Sequence, residues 1–185
     1  MKNLLYIAAA FLLSAAAANA QDSFISGTIL TLHEEAPVPG VSVQLYLDDV
    51  LVDELTTTAD GNFNFTALTN GETYRMELSY DTPPLQGLST LDLVHIAKHI
   101  LATQLLPTPH HMIAADFNNS GNISVLDIVR LRRVILGIEN PEGEQWVFVP
   151  QDYGFDNSPV LSDLQLNSSI ENLDIYAIKR GDVAN

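Results

Sequence analysis

The chain of 185 residues contains no cysteine. That excludes a disulfide framework, a cysteine nucleophile and a lipid anchor carried on a cysteine. Basic residues are also scarce. Eight Lys and Arg stand against 23 Asp and Glu, for a formal net charge of −15. A surface of that sign repels nucleic acid and anionic membranes and tolerates bound cations, so nucleic acid is not an expected partner. Beyond the amino terminus no apolar run approaches the length of a bilayer span. There is no G-x-S-x-G and no Gly-rich phosphate loop, and no carboxylate pair stands out as a glycosidase dyad. The chain is not expected to be an enzyme.

The one long apolar run, residues 4–13, follows the positive start Met1-Lys2 and leads to the small-x-small site Ala18-Asn-Ala20. This is the pattern of a secretory signal peptide cleaved after Ala20, which makes the protein secreted, extracellular or cell-surface. Cleavage removes Lys2 and no acid, so the mature chain is more acidic still. A small exported domain without disulfides needs another source of stability, and bound metal is one.

Residues 24–79 alternate short β-rich runs with turn chemistry. Val41, Val43 and Leu45 share one face of a run, and Phe63 and Phe65 share one face of another. Ala36-Pro-Val-Pro-Gly40, Asp48-Asp49, Ala59-Asp-Gly61 and Asn70-Gly71 are the breaks. About six short strands without a helical period predict a small antiparallel β-sandwich over residues 21–80. Gly27-Thr-Ile, Pro37-Val-Pro-Gly-Val-Ser-Val-Gln-Leu, Thr57-Thr-Ala-Asp-Gly-Asn-Phe-Asn-Phe and Asn70-Gly-Glu-Thr-Tyr occur in that order. The order resembles the carboxypeptidase-regulatory-like, or transthyretin-like, β-sandwich, which implies a spacer or accessory module. A carbohydrate-binding sandwich is the rival, but the aromatics here fall mostly at inward-alternating positions.

The stretch Asp116-Phe-Asn-Asn-Ser-Gly-Asn-Ile-Ser-Val-Leu-Asp127 places side-chain oxygens at loop positions 1, 3 and 5, Gly at 6 and a carboxylate at 12. That spacing suits Ca²⁺, with Asp116, Asn118, Ser120, the carbonyl of Asn122 and Asp127 as ligands. The bland alternative is a polar turn before a helix capped by Ser124. A second copy lies 35 residues earlier. Ser89/Ser124, Leu91/Leu126, Asp92/Asp127, Val94/Val129, Ile100/Ile135 and Leu101/Leu136 are identical. Neither short helix would bury its face alone, so the duplication implies a packed pair. Over about residues 81–139 this resembles a dockerin, the paired calcium-loop module that docks onto cohesin partners.

Counting back from Asp92 puts Asp81 at position 1 of a first loop. Pro83 and Leu85 stand there where side-chain oxygens belong, so this loop departs from the dockerin pattern. It is either a site built on Asp81, Asp92 and backbone carbonyls or a rigid Pro-rich link. Leu93, Ile96 and Ile100 on one helix, and Ile128, Leu131 and Ile135 on the other, should pack together, with Val94, Leu101, Val129 and Leu136 widening that face. The opposite ridges carry Leu91, His95, Lys98 and Ala102, and Leu126, Arg130, Arg133 and Gly137. The resemblance implies that Leu91, Lys98, Ala102, Leu126, Arg133 and Gly137 contact a cohesin. His95 and His99 are four apart but lack the Glu of H-E-x-x-H, and His110-His111 sits in an expected loop, so packing histidines are favoured over zinc.

Residues 140–185 form a β-rich extension expected to pack on the preceding modules. Residues 145–149 and 173–179 alternate like strands. Its W-x-F-V-P and I-K-x-G-D-V segments resemble those after dockerin-like repeats in large bacterial envelope proteins. Arg180-Gly-Asp182 is too short a match to be read as an adhesion motif. The expected fold is therefore α+β and multidomain: sandwich, two-helix dockerin-like module, β tail. Three functional readings follow. The first is a secreted calcium-binding adaptor for a cohesin-like partner. The second is a structural or adhesive surface protein with a calcium-stabilised joint. The third is a non-catalytic accessory fragment of a polysaccharide hydrolase with carbohydrate binding.

Overall fold

The computed structural model describes residues 22–154 and 161–184. The expected signal peptide lies outside the described residues, and among these no helix is long and apolar enough to cross a membrane. The elements in chain order are β1 (Ser23–Thr31), β2 (Ser42–Leu47), β3 (Val50–Thr56), β4 (Asn62–Leu68), β5 (Thr73–Ser79), α1 (Thr90–Ile100), α2 (Pro109–Ala115), α3 (Val125–Ile135), β6 (Trp146–Pro150), β7 (Leu164–Gln165) and β8 (Ile175–Lys179). The result is a mixed α/β architecture of two four-stranded sheets and three helices among the described residues.

Period-2 alternation produces the sandwich. Val41, Val43 and Leu45 from the β2 region, Phe63 and Phe65 from β4, and Tyr74 and Met76 from β5 are all buried in one cluster. The strand orders are β4-β1-β8-β6 and β3-β2-β5-β7. Residues 24–79 contribute five strands rather than about six. The carboxyl-terminal region does more than pack on what precedes it. It supplies β6 and β8 to one sheet and β7 to the other.

β8 is the spine of the molecule. It runs parallel to β1, with Ile29 opposite Ile175, and antiparallel to β6, with Trp146 opposite Lys179. All five of its residues are buried, as expected for a strand covered on both faces. Ile175 and Ala177 point into the sandwich, whereas Tyr176 and Ile178 join Ile96, Ala114, Leu131, Val134 and Val149 in a second cluster beneath the helices. Three layers follow: sheet, sheet, helices. Lys179, only 4% exposed, ends the strand with its ammonium 5.1 Å from the centre of the Trp146 ring. Burial lowers its pKa, while the field of Asp182 opposes the shift.

Helices α1 and α3 begin as their sequences dictate. Ser89 and Ser124 are N-caps, and each forms a reciprocal capping box with the aspartate three residues on, Asp92 or Asp127. α2 was expected to be a loop around His110-His111. Thr108 caps it and Pro109 occupies its first turn, and both are helix-start signals that outweighed its shortness.

The duplication extends to the helix ends. Leu101 and Leu136 are the C-caps, followed by Ala102 at φ 54° and Gly137 at φ 67°. The Thr103 N–H donates to the Lys98 carbonyl as the Ile138 N–H donates to that of Arg133. Only glycine adopts this left-handed conformation without steric cost, so Ala102→Gly should raise stability by about 0.5–1 kcal/mol in denaturant melts. A loss of stability would show that the Ala102 methyl group makes a compensating contact.

Candidate functional site

α2, the loop over residues 116–124 and α3 form a helix-loop-helix. Asp116, the C-cap of α2, draws the loop around its carboxylate. Its Oδ1 accepts from the Ser120 N–H at 2.9 Å and its Oδ2 from the Gly121 N–H at 2.6 Å. Gly121 takes φ 82°, which the sharp turn requires. Asn118 Oδ1 also accepts from Ser120 N–H, at 3.0 Å. From the far end, Asp127 closes the loop. Its Oδ1 accepts from Asn118 N–H at 3.1 Å and its Oδ2 from Ser124 N–H at 2.8 Å.

The donor set fits a hard cation. The Ser120 hydroxyl lies 3.4 Å from Asp116 Oδ1 and 3.1 Å from the Asn122 carbonyl oxygen. Neighbouring oxygens at right angles around one Ca²⁺ stand about 3.3–3.7 Å apart, so small shifts would aim these three at a common ion. Carboxylates keep lone pairs beyond those used by the backbone. Among the described residues, no group of three or more His, Asp or Glu side chains forms a metal-holding cluster. Here the loop brings two carboxylates together with neutral oxygens. Asp116, Asn118, Ser120 and Asn122 from the loop and Asp127 from the first turn of α3 could hold such an ion, with hard oxygens and little charge.

The first loop is built differently. Asp81 is exposed just after β5, and residues 83–88 form turns closed by Gln86 N–H to the Pro83 carbonyl and Leu88 N–H to that of Leu85. Asp92 is fully buried. Its Oδ2 accepts from Ser89 N–H at 2.7 Å, as in the second unit, but its Oδ1 accepts from the N–H of Val183 at 2.8 Å. Arg180 reaches the second loop, donating to the Asp116 carbonyl at 3.0 Å and to Asn119 Oδ1 at 2.9 Å. Sequence reading missed both Arg180 and Val183 as parts of the site. They lie 64 and 91 residues from these partners, and no local pattern announces such contacts.

The helix faces divide in a way that corrects the sequence expectation. Leu93, Ile96, Ile100, Ile128, Leu131 and Ile135 do pack inward. Val94, Leu101, Val129 and Leu136 do not widen that face. With Leu91 and Leu126 they are exposed, all six between 44% and 71%. Sheet β4-β1-β8-β6 covers one side of the helix pair and leaves this side uncovered. Three apolar positions are thus exposed twice, at identical phase: 91/126, 94/129 and 101/136. Lys98, Arg130, Arg132 and Arg133, half of the eight basic residues of the chain, lie on the same two helices. Arg130 pairs with Glu142 and Arg133 with Glu139. Lys98 bonds Gln104, while Ala102 and Gly137 are exposed at the helix ends.

Four of the five histidines, His33, His99, His110 and His111, have hydrogen-bond or ring partners within the fold. His99 Nδ1 accepts from Leu106 N–H, and His110 sits edge-on to Tyr153 and Tyr176. His111 meets His33 edge-on, with ring centres 5.2 Å apart, and is hydrogen-bonded to Thr108. Burial, then His33 and His110, lower the His111 pKa to about 4. Because the folded value lies below the unfolded one, the neutral ring's contribution is complete above about pH 6.5. It is lost as pH falls toward 4, where the unfolded chain binds the extra proton. The ring is partly exposed, so solvent screening reduces the expected loss to about 1–2 kcal/mol. His111→Gln should flatten this part of the stability–pH curve. An unchanged curve would show that other groups govern the acid transition.

No family model and no curated protein sequence matches the chain.

Proposed function

We propose that the protein is a secreted, non-enzymatic calcium-binding adaptor whose α1–α3 pair is a dockerin-like module for a cohesin-like protein partner. The setting proposed is an extracellular polysaccharide-degrading or cell-surface assembly. One observation carries this reading: Leu91/Leu126, Val94/Val129 and Leu101/Leu136 are exposed in duplicate beside a loop of hard oxygen ligands. Scattered surface apolar residues need no explanation, but a repeated apolar ridge does. The basic residues on the same helices favour a partner whose apolar face is rimmed by acids. The dense packing of sheet β4-β1-β8-β6 against the other side of the helices also supports the second reading, a calcium-stabilised joint.

Capture from the secretome with calcium, then with chelator, separates the readings. The adaptor requires a captured β-sandwich protein that is lost with chelator and lost in Leu91→Arg/Leu126→Arg. Both positions are exposed, so the double variant should fold with near-unchanged stability. Retention of the same partner by that variant would sink the adaptor reading. Calcium-dependent stability without capture favours the joint, and capture of glycan alone favours a carbohydrate-binding accessory role.

Two carboxylates offset little of the ion's dehydration, and Asp at position 12 is a methylene shorter than the Glu of tight loops. Affinity should therefore fall near 10⁻⁴–10⁻³ M, roughly the extracellular range. Ser120→Asp adds a third carboxylate at an exposed position and should tighten binding about tenfold, raising the melting temperature in calcium by mass action. Calorimetry that finds a nanomolar site in the native sequence, or no response to Ser120→Asp, would refute this description of the loop.

A further inference from the structure

We infer that residues 180–183 are a strap that gives Asp92 the amide donor its own first loop does not supply and carries the state of the second loop to α1. In the second unit the Asp127 carboxylate is held by Ser124 N–H behind it and by Asn118 N–H from its own loop. In the first unit Asp92 is held by Ser89 N–H behind it and by Val183 N–H from the end of the chain. The same two-sided grip is thus completed once by a contiguous loop and once by a distant segment.

The strap touches both units within four residues. Arg180 donates to the Asp116 carbonyl and Asn119 at the second loop, and the Gly181 N–H donates to the Ala114 carbonyl at 2.7 Å. Gly181 is pressed against Leu131, Phe117 and Leu88, where a Cβ would fall 2.8 Å from Leu131 and 3.1 Å from each of the others. Asp182 lies against Gly87, where a Cβ would come 2.7 Å from Asp182 Oδ2. Val183 then bonds Asp92. Three peptide units between Arg180 and Val183 leave little slack. Ordering the acceptors of Arg180 must therefore order the amide that holds Asp92 in the first turn of α1. Arg180 is a positioning residue in this scheme, and its cation-linked arm rests on the calcium reading above.

Amide hydrogen exchange on the full chain tests this, read by NMR with calcium chloride and with chelator. In chelator, the Val183 amide should already be protected. Asp92→Asn, which leaves one oxygen for two N–H donors, should speed its exchange about tenfold, the loss of one bond to a charged group, while Asn118 is unaffected. In calcium, residues 118–121 should slow, and Val183 and the first turn of α1 should slow with them. Arg180→Met should keep the first effect and lose the second. An unprotected Val183 amide in the native sequence overturns the strap. Loop protection that stops short of Val183, or reaches it equally in Arg180→Met, overturns the coupling. Calcium that alters no amide refutes the cation reading and the coupling together, whereas a protected, Asp92-dependent Val183 still upholds the strap.

Discussion

Alanine at Gly27 should lower stability by about 3–5 kcal/mol, a large part of the 5–15 kcal/mol typical of a folded domain. Gly27 sits in β1 where the segment entering β8 crosses closest. A Cβ there would overlap the Leu173 carbonyl and also meet the Phe63 ring at 2.9 Å. The carbonyl cannot swing aside, because its own residue is fixed by Leu173 N–H donating to the Ser26 carbonyl at 3.0 Å. One residue on, Asp174 Oδ1 accepts from Thr28 N–H at 3.1 Å. Relief would require β8 to leave β1, which opens both packing clusters at once. At this chain length the loss corresponds to a melting temperature lower by about 6–20 °C, measurable by circular dichroism. A loss below about 1 kcal/mol would mean that the 171–174 segment yields without disturbing the sheet.

Asp92→Ala and Asp127→Ala should each cost about 2–4 kcal/mol in chelator, because each carboxylate is fully buried and serves donors from two directions. Truncation strands a helix-start N–H together with that of Val183 or Asn118. Calcium should separate the two variants. The Asp127→Ala deficit should widen, because the native protein gains binding free energy that the variant forfeits. The Asp92→Ala deficit should widen far less, only by what residues 180–183 transmit from the loop, because the amide on Asp92 Oδ1 comes from Val183 and the one on Asp127 Oδ1 from the cation loop itself. Chemical denaturation of both variants in both buffers reads this directly. Equal widening would show that the first unit also holds a cation, and no widening in either would remove the cation from the second loop.

Local signals determined a good part of this protein. Alternation placed the buried faces of β2 and β4, since a period of two leaves only one register that buries Val43, Leu45, Phe63 and Phe65. The 35-residue repeat placed α1 and α3, and with them the N-cap Ser124, because an N-cap is satisfied within a few residues. The oxygen spacing of residues 116–127 marked out the loop, which folds around Asp116 as its composition requires. α2 was legible in Thr108-Pro109 but was passed over because a single turn or two carries little periodicity.

What only the tertiary structure decided is where the end of the chain goes. Nothing near residues 175–183 states that β8 will lie parallel to β1, bury both its faces and hand an amide to Asp92. For the same reason the sequence could not say which side of α1 and α3 stays uncovered. Leu93 and Val94 are adjacent and equally apolar, and their fates diverge only because the sheet packs against one of the two sides. Periodicity reports that a helix has an apolar stripe. How wide that stripe is, and how much of it remains for a partner, depends on surfaces brought together from residues more than a hundred positions apart.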